Sequence, residues 1–402
     1  MRPDDLDDDL TIETLAVHAG QEPDPQYGAV APPIYQTSTY RQQGVGRPID
    51  DFDYARTKNP TRDRFERAVA RLEGGGFGIA FASGSAATAA ISEFAGAETE
   101  IVVGDDVYGG TFRYLERVRK PNGVTTRYAD LAADPEAMWE ALTEQTRLVW
   151  FETPTNPLLK VVDIAGAASV LRERYGGGPR PLLVVDNTFA SPILQRPLDL
   201  GADIVFHSAT KYLAGHSDTV IGIAVTRDPA IAERLRFLQN AAGAVPGPFD
   251  CFLALRGLRT LPLRVGRHAS NASEVAGFLA ERDDIEWLSY PGLANGPHAH
   301  PQAASAARQM RAGGGMVSFV PAARSGGSAR ERAIAICEAT RIFTLAESLG
   351  GVESLIELPA VMTHASVAGS PLEVPEALVR LSVGIEGAAD LIEDLRQALD
   401  AS

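Results

Sequence analysis

Lysine is scarce in this 402-residue chain. It occurs at Lys58, Lys120, Lys160 and Lys211, and arginine supplies the rest of the 37 basic residues. Chemistry that needs a primary amine therefore has four places to look. Cysteine is scarcer still: Cys251 and Cys337 are too few and too far apart for a disulfide framework or a zinc ligand set, and the chain reads as cytoplasmic. His298 and His300 share a Gly/Pro loop with no third ligand in sequence reach, so no metal is expected. No apolar run approaches the roughly 18 residues that span a bilayer. Met1 to Leu10, mostly Asp and Leu with one Arg, lacks the basic and apolar parts of a secretory signal, so no membrane partner is expected. Positive charge is also short: 52 acidic residues leave a formal charge of −15, which repels a phosphate backbone and argues against nucleic acid.

The length allows two or three domains of about 150 residues, and 45% hydrophobic residues suffice for a large core. Residues 1–60, rich in Pro, Gln, Thr, Gly and Asp, read as an extended arm that wraps something else. From Thr61 short apolar runs alternate with helical patterns. Expected strands are Ile79 to Ala82, Ile101 to Val103, Leu148 to Phe151, Leu182 to Val185, Ile204 to Phe206 and Val220 to Val225. Expected helices include Asp134 to Glu144 and Ala165 to Arg174. That alternation predicts an α/β domain over 61–255 with a mostly parallel sheet covered on both faces. Helical periodicity over Phe249 to Leu263 and Ala272 to Glu281, then strands at Met316 to Val320 and Leu378 to Val383, predict a smaller α+β domain over 256–402.

Ligands of open α/β sheets sit at the carboxyl ends of the strands, so the polar residues that follow each apolar run matter most. Ser83-Gly84-Ser85 follows the first run and opens a helical stretch; it is either a phosphate cradle or an ordinary helix cap. Gly74, Gly75, Gly76 and Gly78 do not fit a dinucleotide fingerprint, and the absence of any Gly-Lys pair excludes a P-loop. Asp186 ends the Leu182 run, where a carboxylate either caps a turn or faces a cation. Lys211 alone of the four lysines follows a buried strand, in His207-Ser-Ala-Thr-Lys211, where partial desolvation lowers an amine's pKa and favours a Schiff-base nucleophile. An amine, a phosphate cradle and a buried carboxylate together match pyridoxal phosphate.

Five segments in order, Tyr54-Ala-Arg56 with Asn59-Pro-Thr-Arg62, Tyr108-Gly-Gly-Thr111, Glu152-Thr-Pro-Thr-Asn-Pro157, Val185-Asp-Asn-Thr188 and Ser208-Ala-Thr-Lys-Tyr212, carry a resemblance that runs from about Thr14 to the C-terminus. The chain resembles the cystathionine γ-lyase and γ-synthase branch of the Cys/Met metabolism pyridoxal phosphate enzymes. The resemblance implies the fold-type I, aspartate aminotransferase-like architecture and a homotetramer of two tight dimers with shared active sites. It implies that Lys211 holds the cofactor covalently, that Asp186 keeps the pyridine nitrogen protonated, and that Gly84, Ser85, Ser208 and Thr210 bind the phosphate. Tyr54 and Arg56 would reach that phosphate from the neighbouring subunit. Tyr108 would stack on the ring and act as acid or base at the leaving group. Arg380, a charge inside an apolar strand pattern, would clamp the α-carboxylate of an amino-acid substrate with Asn156 and Ser348 beside it.

In the methionine γ-lyase branch a cysteine stands two residues after the stacking tyrosine. Here that position is Gly110. Glu347 matches a carboxylate that cystathionine-handling enzymes place near the distal amino group, with Arg113 and Asp53 similarly at the pocket mouth. The expectation is therefore cystathionine γ-lyase activity. Cystathionine γ-synthase is the alternative, and methionine γ-lyase or O-acetylhomoserine sulfhydrylase stand behind both. A non-catalytic relative would lack one of Lys211, Asp186 or Arg380, and a nicotinamide oxidoreductase would carry the glycine fingerprint.

Overall fold

The computed structural model describes residues 10–133, 135–324 and 326–402. The acidic segment over residues 1–9 and Asp134, the first residue of one expected helix, lie outside the described residues. Seven strands follow one another from β1 (Phe77–Phe81) through β2 (Glu100–Gly104), β3 (Thr125–Ala129), β4 (Thr146–Glu152), β5 (Leu182–Asp186) and β6 (Ile204–Ser208) to β7 (Gly222–Thr226). Five more follow: β8 (Ile285–Ser289), β9 (Met316–Pro321), β10 (Thr344–Leu345), β11 (Leu355–Glu357) and β12 (Val379–Ser382). The chain divides into two compact units, Met1–Glu93 with Asp203–Pro262, and Phe94–Ala202 with Leu263–Ser402.

In the first unit the strands lie in the order β1-β7-β6, and β7 runs antiparallel to both neighbours. β7 is the exception that a mostly parallel sheet allows, because residues 209–221 return from β6 to β7 without the crossover helix that usually joins parallel strands. That connection carries Lys211. The helix Pro60–Glu73 packs on this layer through Phe65, Val69 and Leu72, all buried. It starts where Asn59 accepts the N–H groups of Thr61 and Arg62, with Pro60 at the first helical position, where a missing N–H costs nothing. The preceding residues 25–57 contain only short turns and isolated bridges and leave Tyr27, Val30, Val45 and Ile49 exposed.

In the second unit β5-β4-β2-β3 are all parallel. β2 and β4 are apolar and almost wholly buried, as strands covered on both faces must be. β3 reads Thr-Thr-Arg-Tyr-Ala and is half exposed at the end of this series, so no apolar run announced it. The smaller sheet, order β10-β11-β12-β9-β8, is antiparallel except for β10 with β11. It shares a core with the helices Ala329–Ala339 and Ala388–Ala401 through Val317, Phe319, Ile336, Leu381 and Leu395. The helix expected over Phe249 to Leu263 is broken: Pro248–Leu258 ends, and Leu261–Ala280 begins with Pro262 in its first turn, where proline fits but a helix interior would not accept it. Among the described residues no helix is long and apolar enough to cross a membrane.

Candidate active site

The first unit brings the phosphate residues and the lysine together at the ends of β1 and β6. Ser83 caps the helix Gly84–Ser92, its hydroxyl accepting from Ala86 N at 3.0 Å. The cap and the cradle are therefore not alternatives. Ser83 satisfies the third backbone donor, and the N–H groups of Gly84 and Ser85 stand ahead of it at the positive end of the helix. Gly84 must be glycine, because a Cβ there would come within 2.9 Å of Ser208 Cβ and 3.1 Å of its hydroxyl. That closeness sets a serine hydroxyl beside the first turn, as a bound phosphate monoester requires. The Thr210 hydroxyl donates to the Ile221 carbonyl at 3.2 Å and accepts from Ile221 N at 3.0 Å, closing the Lys211 loop onto the chain that leads into β7. Lys211 N donates to Ser208 O, and Lys211 O accepts from Gly215 N at 2.8 Å, so the loop is tied on both sides of the lysine.

The other lysines are held as cations or as packing. Lys160 bridges Asp105 at 2.8 Å and Asp130 at 3.1 Å. Burial pulls its pKa down, but the two carboxylates outweigh it and the net shift is upward. Lys120 pairs with Glu116, and Lys58 lies over the Phe52 ring with its amine on Asp50 O. Lys211 is the lysine that follows β6, three residues after Ser208.

Tyr54, Arg56 and Asp53 stand exposed on the arm. Buried Arg62 holds them out by donating to the carbonyls of Ala55, Arg56 and Thr57 at 2.8, 3.2 and 2.8 Å. The Arg56 guanidinium covers the Tyr54 ring at 5.5 Å and donates to Asn240 Oδ1, while Asp53 accepts the Tyr54 N–H.

In the second unit Asp186 ends β5 directly opposite Glu152 of β4. Thr188 donates both its N–H and its hydroxyl to Asp186 Oδ1, which fixes the carboxylate's rotation and gives the Asp-Asn-Thr segment its purpose. Burial first, and then the Asp186 charge, push the Glu152 carboxyl well above the usual carboxylate range; its Oε1 accepts the Tyr108 N–H at 2.7 Å. Tyr108 leads into the helix Gly109–Tyr114. Gly109 is held against backbone and Gly110 against a side chain that would have to shift. A Cβ on Gly109 would meet Thr363 O at 2.8 Å, and one on Gly110 would meet the Tyr108 ring at 2.4 Å. Burial raises the Tyr108 phenol pKa; the charges of Arg113 and Arg380 oppose this, and those of Glu347 and Glu152 add to it. The phenol keeps its proton at neutral pH.

Arg380 lies 2% exposed in β12, so its charge faces inward rather than to solvent. Its Nη1 donates to Asn156 Oδ1 at 2.7 Å and its Nη2 to Ser348 O at 3.0 Å. Ser348 has φ +97°, a strained backbone for a residue with a side chain, held where its carbonyl meets the guanidinium. Asn156 is positioned by its loop: Ser318 donates to Pro157 O, Ser289 to Leu158 O and His300 Nε2 to Leu159 O. The other His300 nitrogen accepts Gln302 N, so that ring has no lone pair for a metal. Two residues beside Arg380 were not singled out from the sequence: Glu357, 1% exposed, pairs with Arg380 at 3.1 Å, and Thr363 donates to Glu357. His364, which reads from the sequence as a packing or hydrogen-bonding residue, donates from Nε2 to Asn156 O. Only cross-strand pairing could have found Glu357, because it is Arg380's partner in register.

An amine, a helix terminus lined by serine and a carboxylate steered by Thr188 are the groups that the aldehyde, phosphate and pyridine nitrogen of pyridoxal phosphate need, so the residues present fit that cofactor. Comparison with known proteins agrees. The family model for Cys/Met metabolism PLP-dependent enzymes matches residues 13–400. Cystathionine gamma-synthase of Mycobacterium tuberculosis is 53% identical over 387 residues, 96% of each chain. Cystathionine gamma-lyase of Saccharomyces cerevisiae is 48% identical over 396 residues, again 96% of each. The crystal structure of metB from Corynebacterium glutamicum superposes with a TM-score of 0.93 at 45% identity, covering 98% of this chain and all of that one. The chain is an enzyme of the Cys/Met metabolism PLP-dependent family, in the branch whose members are named cystathionine gamma-synthase, beta-lyase and gamma-lyase.

Proposed function

We propose that the chain acts on cystathionine at Cγ, cleaving it with water to cysteine, 2-oxobutanoate and ammonia. The observation that carries this reading is the Tyr108 phenol, whose proton burial retains and on which the charges of Arg113, Glu347 and Arg380 all act. Arg380, fixed by Asn156 and Ser348, takes the α-carboxylate as a charge-assisted pair. Pyridoxal phosphate, when bound, supplies the electron sink for charge left at Cα. Lys211 would hold the cofactor's aldehyde carbon, and its amine would carry the Cα proton. Asp186 would keep the pyridine nitrogen protonated. Tyr108 delivers its Oη proton to the departing sulfur, and Glu347 receives the distal ammonium of cystathionine. Gly84, Ser85 and Ser208 hold the phosphate, and Thr210 holds the loop that carries Lys211.

A second reading is γ-replacement, in which cysteine adds to an O-acylated homoserine and cystathionine is released. It is favoured by the name of the relatives at 50–53% identity, all cystathionine gamma-synthases. Both readings need a pocket for cystathionine. We further infer a homotetramer of two tight dimers, in which Tyr54 and Arg56 on the exposed arm reach the phosphate of the neighbouring chain. We place the enzyme in the cytoplasm, where its two buried free thiols stay reduced.

The purified protein, incubated with cystathionine alone and with O-acylhomoserine plus cysteine, separates the readings. Release of 2-oxobutanoate and cysteine from the first supports cleavage, and cystathionine formation in the second supports replacement. Turnover in neither overturns both. Lys211→Ala should lose the visible band that borohydride bleaches; a pyridoxyl group found on Lys58, Lys120 or Lys160 after reduction would overturn the lysine assignment.

A further inference from the structure

The substrate clamp has a carboxylate of its own. Glu357 and Arg380 face each other across β11 and β12, both nearly inaccessible, with Nη2 and Oε1 3.1 Å apart. Glu357 Oε1 also accepts the Thr363 hydroxyl at 2.8 Å. The Thr363 oxygen lies 2.9 Å from His364 Nδ1, and His364 Nε2 donates at 3.1 Å to the carbonyl of Asn156, whose side chain accepts from Arg380. Arg380, Glu357, Thr363, His364 and Asn156 thus form one buried or half-buried cluster; with the Thr363 proton on Glu357 and the His364 proton on Nε2, the Thr363–His364 approach is a packing contact.

The guanidinium's position does not depend on Glu357 alone. Asn156, the strained carbonyl of Ser348 and the strand register hold it as well. What Glu357 adds is charge. A buried arginine opposite a carboxylate is a neutral pair, and an incoming α-carboxylate meets far less attraction than it would from an uncompensated guanidinium.

We propose that Glu357 is a positioning residue that acts as an internal counter-ion, set to weaken Arg380's hold on the α-carboxylate so that substrate and product exchange. Thr363 tunes it: by donating to Glu357 it draws charge from the carboxylate and leaves more of Arg380's field for the substrate. The proposal rests on the reading of Arg380 as the α-carboxylate clamp.

The test uses holoenzyme and two unreactive probes, L-norvaline, which has an α-carboxylate, and butylamine, which does not, with binding followed by the cofactor's absorbance and by the thermal midpoint. Glu357→Gln keeps the size of the side chain and an oxygen for Thr363. It should tighten norvaline by about tenfold, the scale of one charge-assisted contact, and leave butylamine unchanged. Thr363→Val should shift norvaline the opposite way, weakening it about threefold as Glu357 regains charge against Arg380. A purely structural role would loosen both probes in both variants. Unchanged or weaker norvaline binding by folded Glu357→Gln overturns the proposal; if that variant does not fold, unchanged or tighter norvaline binding by Thr363→Val does so. Arg380→Lys separates the two levels. If it loses norvaline while the Glu357 and Thr363 variants change nothing, only the counter-ion role falls. If norvaline binds Arg380→Lys as it binds the parent, the clamp reading falls too.

Discussion

The backbone N–H of Tyr108 donates to Glu152 Oε1, joining the proton-carrying tyrosine to the end of β4 beside Asp186. Glu152, which reads from the sequence as a residue that positions neighbouring backbone, is placed here as an acceptor for main chain. Burial and the Asp186 charge both favour its neutral form, and a neutral isostere offers the same acceptor oxygen. Glu152→Gln should therefore retain most activity. Glu152→Ala leaves the Tyr108 N–H without its acceptor, an effect of about 1–3 kcal/mol, and should lower kcat about tenfold or more. Equal, severe losses in both would show that the charge of Glu152 takes part in the chemistry.

How much was legible in advance depends on whether a residue's role is local. Lys211 and Asp186 end apolar runs, and their strands β6 and β5 lie where those runs stand. Arg380 was visible as one charge in an apolar stretch. Glu357 was not, because β11 is three residues long and its partner is 23 positions away, a relation made only by strand register. The two bonds of the Thr210 hydroxyl to Ile221 were hidden for a related reason, since they depend on how the chain returns into β7. Ser83, the actual cap of the helix Gly84–Ser92, lay in a segment read as either cap or cradle, and it lets the segment be both.

The exposed arm carries the second prediction. Arg62 takes the three carbonyls of residues 55–57, and the side chains of Tyr54 and Arg56 stand exposed beside them. Arg56→Ala and Lys211→Ala should each be nearly inactive. Mixed under conditions of subunit exchange, they should recover activity, since some sites then combine an intact Lys211 with an intact Arg56 from the neighbour. Exchange proven by mass labels but without recovery would mean that each site is built within one chain.

His268 gives a pH prediction. Its Nδ1 donates to the Val383 carbonyl, and burial, with the Arg264 charge adding to it, pushes its pKa down to about 4. A histidine whose folded pKa lies below its ordinary value binds protons more readily when unfolded. The stability tied to its neutral form is complete above about pH 6.5 and is lost as pH falls toward the folded value. The slope is about 1.4 kcal/mol per pH unit within that window. Urea midpoints at pH 7 and pH 5 should therefore differ more for the parent than for His268→Gln. Parallel losses would exclude His268 as a contributor.

Glu347 carries the proposed choice of substrate. It is exposed, it adds to the upward shift of the Tyr108 phenol, and Arg113, exposed as well, opposes it there, so both charges act on the group proposed to protonate the γ substituent. A carboxylate at that point suits the distal ammonium of cystathionine and offers nothing to the methyl group of methionine. Gly110 points the same way: the Tyr108 ring occupies the space a side chain would need, so the tyrosine rests against bare backbone. Glu347→Val should raise the KM for cystathionine about tenfold, the scale of one charge-assisted contact, and spare O-acylhomoserine substrates that lack a distal ammonium. Gly110→Cys must displace the Tyr108 ring and should lower kcat on both. If Glu347→Val harmed both substrates equally, the residue would be shaping the turn at Ser348 rather than reading the substrate, and the preference for cystathionine would lose its main support.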